Sequence, residues 1–214
     1  MNPSIGRSAL ILASGDDVPC TPWQLVNDDV VVICADGGAR LARAWGITPQ
    51  IILGDQDSLD EATEEYWQSK TIPFQRVSAV KDQTDMDLAV DYALGQGATS
   101  ITLVGGWGSR IDHALGNVEL LYRLALGGVQ NWLLTKEHRL SAFCKEFRAK
   151  VNLGSVVSLI PLSPEVLRVS TTGLLYPLHG VTLHKGSTLT ISNVDADADI
   201  SVRIADGVLL AILQ

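Results

Sequence analysis

Five short apolar runs punctuate the first 135 residues, SALILAS, VVVICADG, IILGD, ITLVGG and WLLT, and each stops at a small or polar residue. Near-continuous apolar runs of this length suit strands covered on both faces, the situation in a parallel sheet flanked by helices. Between the runs the period changes. Over 84–95, TDMDLAVDYALG, Met86, Ala89, Val90 and Ala93 recur at helical spacing while Asp87 and Asp91 fall on the opposite side, which predicts an amphipathic helix laid on the sheet. A second helix is expected near Leu59 to Gln68 and a third from about Asp112.

After Arg139 the texture becomes alternating and β-branched, in VVSLIPL, VTLHKG, LTISN, DISVRI and VLLAIL, with Gly, Pro, Asn and Asp between the segments. This predicts an α/β chain: an N-terminal parallel-sheet α/β domain followed by a small antiparallel β domain, with the boundary within residues 136–150. The Asp195-Ala196-Asp197-Ala198-Asp199 stretch reads as an acidic hairpin loop.

Charge narrows the function. The formal net charge of −8 lacks the basic footprint of a nucleic-acid binder, so no nucleic-acid partner is expected. The three cysteines, Cys20, Cys34 and Cys144, are odd in number and show no CxxC spacing, which points away from a disulfide framework or structural zinc and toward a reducing, cytoplasmic setting. The run Ala9 to Ala13 followed by Gly15-Asp16-Asp17 makes a poor leader peptide and is too short to span a membrane.

In open α/β sheets, ligands bind beyond the carboxyl ends of the strands. Four polar clusters are expected on that rim: Ala35-Asp36-Gly37-Gly38, Gly54-Asp55-Gln56-Asp57-Ser58, Lys81-Asp82-Gln83-Thr84-Asp85, and the loop GGWGSRIDH from Gly105 to His113. Asp55 and Asp57 alternate around Gln56, so in an extended segment both carboxylates point the same way and repel unless a cation sits between them. That suits Mg²⁺, which takes carboxylate oxygens and shares its remaining positions with water and phosphate. The competing reading is a loop with Asp57 or Ser58 capping the helix that follows. Asp82 and Asp85 extend the acidic rim, with Thr84 as a helix N-cap and Asp87 three residues on. The GGWGSRIDH loop offers backbone N–H groups and a helix N-terminus to an anion, with Arg110 as a fork for phosphate oxygens. It is neither a Walker A sequence nor a dinucleotide fingerprint. Asp112 is either a ligand contact or the helix N-cap, and His113 either a ligand contact or an ordinary first-turn residue. Trp23, Trp45, Trp67 and Trp132 read as core or edge residues, whereas Trp107 is placed to flank a base; His138, His179 and His184 read as structural.

The order of these clusters, ADGG, GDxDS, D-x-T-D and GGxG-x-R-x-D-H-x-x-x-N, resembles the thiamine pyrophosphokinase (thiamin diphosphokinase) family, and Gly173-Leu174-Leu175-Tyr176-Pro177-Leu178 with Ile191-Ser192-Asn193 resembles its later elements. The likeness covers roughly residues 33 to 212. Ser109 stands where the family often has glycine, and Val194 where an acid is common. The resemblance implies transfer of pyrophosphate from ATP to the hydroxyl of thiamine, giving thiamine diphosphate and AMP, with Mg²⁺ as cofactor. It also implies an N-terminal parallel-sheet α/β nucleotide-binding domain over residues 1–140 followed by a small antiparallel β-sandwich over 141–214, in a homodimer with thiamine bound where the sandwich of one subunit meets the α/β domain of the other. On this chain it places Asp55, Asp57, Asp82 and Asp85 at the catalytic metal site. Asp36, Gly106, Arg110, Asp112, His113 and Asn117 fall on the ATP-binding stretch, and Tyr176, Ser192 and Asn193 on the thiamine pocket. Two alternatives use the same rim: a Mg²⁺-dependent nucleotide phosphohydrolase, and a pyrophosphokinase acting on a related heterocyclic alcohol. A non-catalytic nucleotide-binding module would need only the glycine-rich loop and leaves the acidic positions unexplained.

Overall fold

The structure, a computed structural model, describes residues 8–20, 22–54, 59–76 and 82–214. Asp55, Asp57 and Lys81 therefore lie outside the described residues. The chain divides into two compact units, residues 1–120 with 133–136, and residues 121–132 with 137–214.

In the first unit the apolar runs are strands: β1 (Ser8–Leu12), β2 (Val30–Ala35), β3 (Ile51–Gly54), β4 (Phe74–Arg76), β5 (Ser100–Val104) and the end of β6 (Gln130–Leu134). Their order across the sheet is β6-β5-β1-β2-β3-β4. Parallel pairing joins β1 to both β2 and β5, β2 to β3, and β3 to β4. The central strands are buried along nearly their whole length, as continuous apolar runs require. The helices are α1 (Gly38–Trp45), α2 (Glu61–Ser69), α3 (Asp85–Gly95) and α4 (Ile111–Leu126).

Helix α3 buries Met86, Ala89, Val90 and Ala93, the four residues whose spacing predicts it. Thr84 is its N-cap, the hydroxyl accepting from the Asp87 N–H at 3.2 Å. Helix α2 starts later than the sequence suggests. Its cap is neither Asp57 nor Ser58 but Asp60, whose carboxylate accepts from Thr63 N (2.9 Å) and Thr63 Oγ1 (2.8 Å). Trp67 of α2 is 1% exposed and donates from Nε1 to the Ala39 carbonyl at 3.0 Å, which ties α2 to α1 over the core formed by Leu10, Leu12, Val32, Cys34 and Ile52.

The second unit is antiparallel. Its strands are β7 (Arg139–Phe143), β8 (Glu146–Lys150), β9 (Val156–Pro161), β10 (Glu165–Thr172), β11 (Val181–His184), β12 (Asn193–Val194), β13 (Asp199–Arg203) and β14 (Leu209–Leu213). One layer runs β12-β9-β14-β7 and a separate sheet runs β11-β10-β13-β8. A single apolar cluster draws Val157, Leu159, Leu209 and Leu213 from the first layer and Phe147, Val166, Val169, Leu183 and Val202 from the second sheet.

Two expectations change here. LTISN is a turn for most of its length, and only Asn193 enters β12, because Ser192 takes a left-handed backbone (φ +57°) that interrupts the strand. The 195–199 stretch is a loop only over residues 196–198: Asp195 is buried, drawn in by an antiparallel bridge to Leu174, and Asp199 opens β13.

Candidate active site

The carboxyl ends of β1, β2 and β5 and the N-termini of α3 and α4 surround a cavity of about 480 Å³. Its lining includes six of the sequence-derived site residues: Asp36, Asp85, Gly106, Arg110, His113 and Asn117. Asp82 and Asp112 are described and exposed but are not among the lining residues.

Each side chain is set by its element. Asp36 follows β2 directly, with its N–H donating to the Leu53 carbonyl (2.7 Å) and its own carbonyl accepting from Ala39 N (3.0 Å) at the start of α1. This double use bends the backbone to φ +43°, and the side chain is 8% exposed. Gly54 packs against it: a Cβ at Gly54 would lie 2.7 Å from that of Asp36. The ADGG and GDxDS motifs thus meet at Asp36 and Gly54, the residue before Asp55. Asp85 is the first residue of α3, held there by the Thr84 cap.

The glycine-rich loop is built by close approach. Gly105 has φ +69°, and a Cβ there would strike the carbonyl of Ala13, while a Cβ on Gly15 would strike the carbonyls of Gly105 and Trp107. Gly15 N donates to Gly105 O at 2.8 Å. The loop after β1 and the loop after β5 are therefore one wall, and only glycine fits at the junction. Asn117, 6% exposed on α4, donates from Nδ2 to Gly106 O at 2.7 Å and fixes the far side of the loop. Half-buried Trp107 also lines the cavity.

Arg110 sits just ahead of α4, its carbonyl accepting from Ala114 N. Its guanidinium reaches Asp112 with Nη2–Oδ2 at 2.7 Å and Nε–Oδ1 at 3.4 Å. The guanidinium beside Asp112 holds that carboxyl below the usual carboxylate range, and the arginine is pushed up in turn. Asp112 lies in the first turn of α4 rather than at its cap, where an acid complements the helix dipole.

Ser14, Gly15 and Asp16 also line the cavity, and the sequence reading passes over them. The signal was present, since ASGDD follows an apolar run like the other rim clusters do. Gly15-Asp16-Asp17 served there only to argue against a leader.

In donor chemistry the cavity suits a hard cation. Asp36 and Asp85 both line it, and one or two carboxylates plus phosphate oxygens are what a Mg²⁺ ion asks of a protein. Among the described residues there is no group of three His, Cys, Asp or Glu side chains able to hold a metal. An anion has the loop N–H groups, the α4 N-terminus and Arg110.

In the second unit, Tyr176 is 67% exposed and Ser192 is exposed, with Asn193 half-buried beside them. The Asn193 carboxamide accepts from Tyr176 N (3.1 Å) and donates to Tyr176 O (2.8 Å), so the two elements are in direct contact.

Among the described residues, no helix is long and apolar enough to cross a membrane. Cys20, Cys34 and Cys144 are all free.

Residues 22–132 match the family described as thiamin pyrophosphokinase, catalytic domain, and residues 146–209 match thiamin pyrophosphokinase, vitamin B1 binding domain. A thiamine pyrophosphokinase of Bacillus subtilis (strain 168) is 33% identical over 188 residues, covering 87% of this chain and 88% of the relative. The crystal structure of thiamine pyrophosphokinase from Bacillus subtilis superposes with a TM-score of 0.89 at 28% identity, covering 97% of this chain and 98% of the other. That of thiamin pyrophosphokinase from Geobacillus thermodenitrificans gives 0.85 at 28% identity, with 97% of each chain covered. The chain belongs to the thiamin pyrophosphokinase family.

Proposed function

We propose that this chain transfers a pyrophosphoryl group from ATP to thiamine, giving thiamine diphosphate and AMP. The thiamine hydroxyl oxygen bonds to the β-phosphorus, the bond from that phosphorus to the α,β-bridging oxygen breaks, AMP leaves, and the hydroxyl proton passes to a carboxylate or to water. The observation that carries this reading is the convergence of Asp36, Asp85, Gly106, Arg110 and His113 on one cavity in a chain matched by its family over residues 22–132 and 146–209.

In this reading Gly106, Arg110 and His113 hold the ATP phosphates, Asn117 keeps the Gly106 loop in shape, and Asp112 orients Arg110. Asp55, Asp57, Asp82 and Asp85 would hold Mg²⁺, and Asp36, which lines the cavity together with Asp85, would stand with them. Held there, the ion would supply neutralisation of charge on the phosphate oxygens. A carboxylate near the hydroxyl contributes about 10²–10⁴-fold as general base.

We assign residues 1–140 to an α/β nucleotide-binding domain and 141–214 to a β-sandwich that binds thiamine; the two family matches fall one within each range. The thiamine site of the sandwich lies at Tyr176 and Ser192, with Asn193 bonded to Tyr176, and the aromatic face of Tyr176 is offered to the cationic thiazolium. We place that site at a homodimer interface. In support, each unit carries exposed apolar side chains: Ile111 and Leu115 on α4, and Leu175, Leu189 and Ile191 in the second unit. The three free cysteines agree with a cytoplasmic setting.

Product analysis tests the reaction. Incubation with ATP, Mg²⁺ and thiamine should yield thiamine diphosphate and AMP in equal amounts; thiamine monophosphate with ADP would refute pyrophosphoryl transfer. Subunit mixing tests the interface. Asp57→Asn should lower kcat by at least about 10²-fold, the cost of removing one preorganised electrostatic group. Mixed with Tyr176→Ala chains it should regain activity through heterodimers with one intact site. Subunit exchange without any regain would place each site within one chain.

A further inference from the structure

The resemblance assigns Asn193 to the thiamine pocket, but its hydrogen bonds give it a different task. Residues 173–176 run antiparallel to 193–196: Ala196 N donates to Gly173 O and Leu175 N to Val194 O, both at 2.8 Å, around the Leu174–Asp195 bridge. In that register Tyr176 falls opposite Asn193. The backbone ladder is replaced there by a side chain. Val194 N turns back to Asn193 Oδ1 at 2.9 Å, and the Asn193 carboxamide takes both the N–H (3.1 Å) and the C=O (2.8 Å) of Tyr176. A carboxamide presents a donor and an acceptor side by side as a peptide group does, so it continues the ladder by one residue.

Both ends of this clamp are rigid. Asn193 pairs with Val157 in the β12–β9 ladder, and Ser192 N donates to Ser158 Oγ at 2.9 Å. On the other side Pro177 restricts Tyr176 to extended backbone, while at Gly173 (φ +77°) a Cβ would strike the carbonyl of Asp199. Asn193 Oδ1 already accepts two hydrogen bonds and Nδ2 donates one, which leaves a single N–H for anything else. Tyr176, by contrast, is held through its backbone N–H and C=O and offers a 67% exposed side chain.

We propose that Asn193 is a positioning residue: it fixes the backbone of Tyr176 so that the ring meets thiamine, and does not itself read the substrate. This rests on the assignment of Tyr176 to the thiamine site. The test is steady-state kinetics on the full chain with Tyr176→Ala, Asn193→Ala and their double variant. Asn193→Ala should raise the KM for thiamine about five- to ten-fold, the scale of the lost hydrogen bonds, and Tyr176→Ala about 5- to 30-fold, with the KM for ATP held in both. A merely structural loss would move both constants. The double variant should be no worse than Tyr176→Ala, because Asn193 acts only through Tyr176. Additive effects would overturn the proposal, as would an Asn193→Ala chain with unchanged thiamine KM when Tyr176→Ala is impaired. A Tyr176→Ala chain with unchanged thiamine KM would fail the thiamine assignment and remove the proposal with it. If Asn193→Ala does not fold, Asn193→Asp replaces it, keeping the acceptor and losing the donor. It should weaken thiamine binding, whereas tighter binding, the response of a carboxylate facing a thiazolium, would overturn the proposal.

Discussion

Asn117 Nδ2 donates to the carbonyl of Gly106 at 2.7 Å, across eleven residues and inside the protein. The bond ties the glycine-rich loop to the second turn of α4, so the loop that faces phosphate and the helix whose N-terminus faces phosphate move as one body. Without it the Gly106 carbonyl is left buried and unpaired.

Asn117→Ala should therefore cost stability and nucleotide binding together. An unsatisfied buried group costs about 1–3 kcal/mol, so thermal melting should show a lower midpoint, and the KM for ATP should rise several-fold while that for thiamine holds. Asn117→Asp should not rescue, because the carboxylate has no donor for the Gly106 carbonyl. A variant with wild-type KM for ATP would confine Asn117 to packing.

Arg110→Lys keeps the charge and loses the fork. In the structure the guanidinium already makes two contacts to Asp112, the geometry that a phosphate's oxygens also accept. A point charge cannot reproduce it, and the KM for ATP should rise about ten-fold, near 1.4 kcal/mol for one charge-assisted hydrogen bond. Unchanged nucleotide kinetics would move Arg110 to a role in holding Asp112 alone.

Asp60 contributes to acid sensitivity, because its carboxyl is held below its ordinary value of 3.8 chiefly by the Thr63 hydroxyl. A carboxyl lowered in the native state contributes stability that is complete above its unfolded value and is lost as pH falls through the native one. The melting difference between wild type and Asp60→Asn should thus be constant at neutral pH and shrink below the ordinary carboxylate range. A difference that stays constant into acid would show that the Thr63 contact does not favour the charged form.

The parallel unit was legible because buried strands and an amphipathic helix leave strong periodic traces: Met86, Ala89, Val90 and Ala93 announce α3 and are buried. The antiparallel unit was less so. EFRAK in β8 alternates, but its apolar positions are only Phe147 and Ala149 between three charged residues, a faint trace of a buried face, and β10 is broken by an irregular register between Val166 and Val169 with Arg168 at φ +53°, which interrupts its alternation. At the site, the acidic and glycine clusters were visible as strand-end punctuation. The Gly15–Gly105 contact was not, because it joins residues ninety apart through backbone approach, which leaves no pattern along the chain. Asn193 stands out in the chain as a motif residue, but its hydrogen bonds to Tyr176 join residues seventeen apart and leave no trace in the sequence.

The central claim is that thiamine is the acceptor, and the most direct measurement is AMP release from ATP and Mg²⁺ with and without thiamine. A pyrophosphokinase forms AMP only when thiamine is present, in step with thiamine diphosphate. Release of inorganic phosphate or pyrophosphate from ATP at the same rate without thiamine would contradict the account and make water the acceptor.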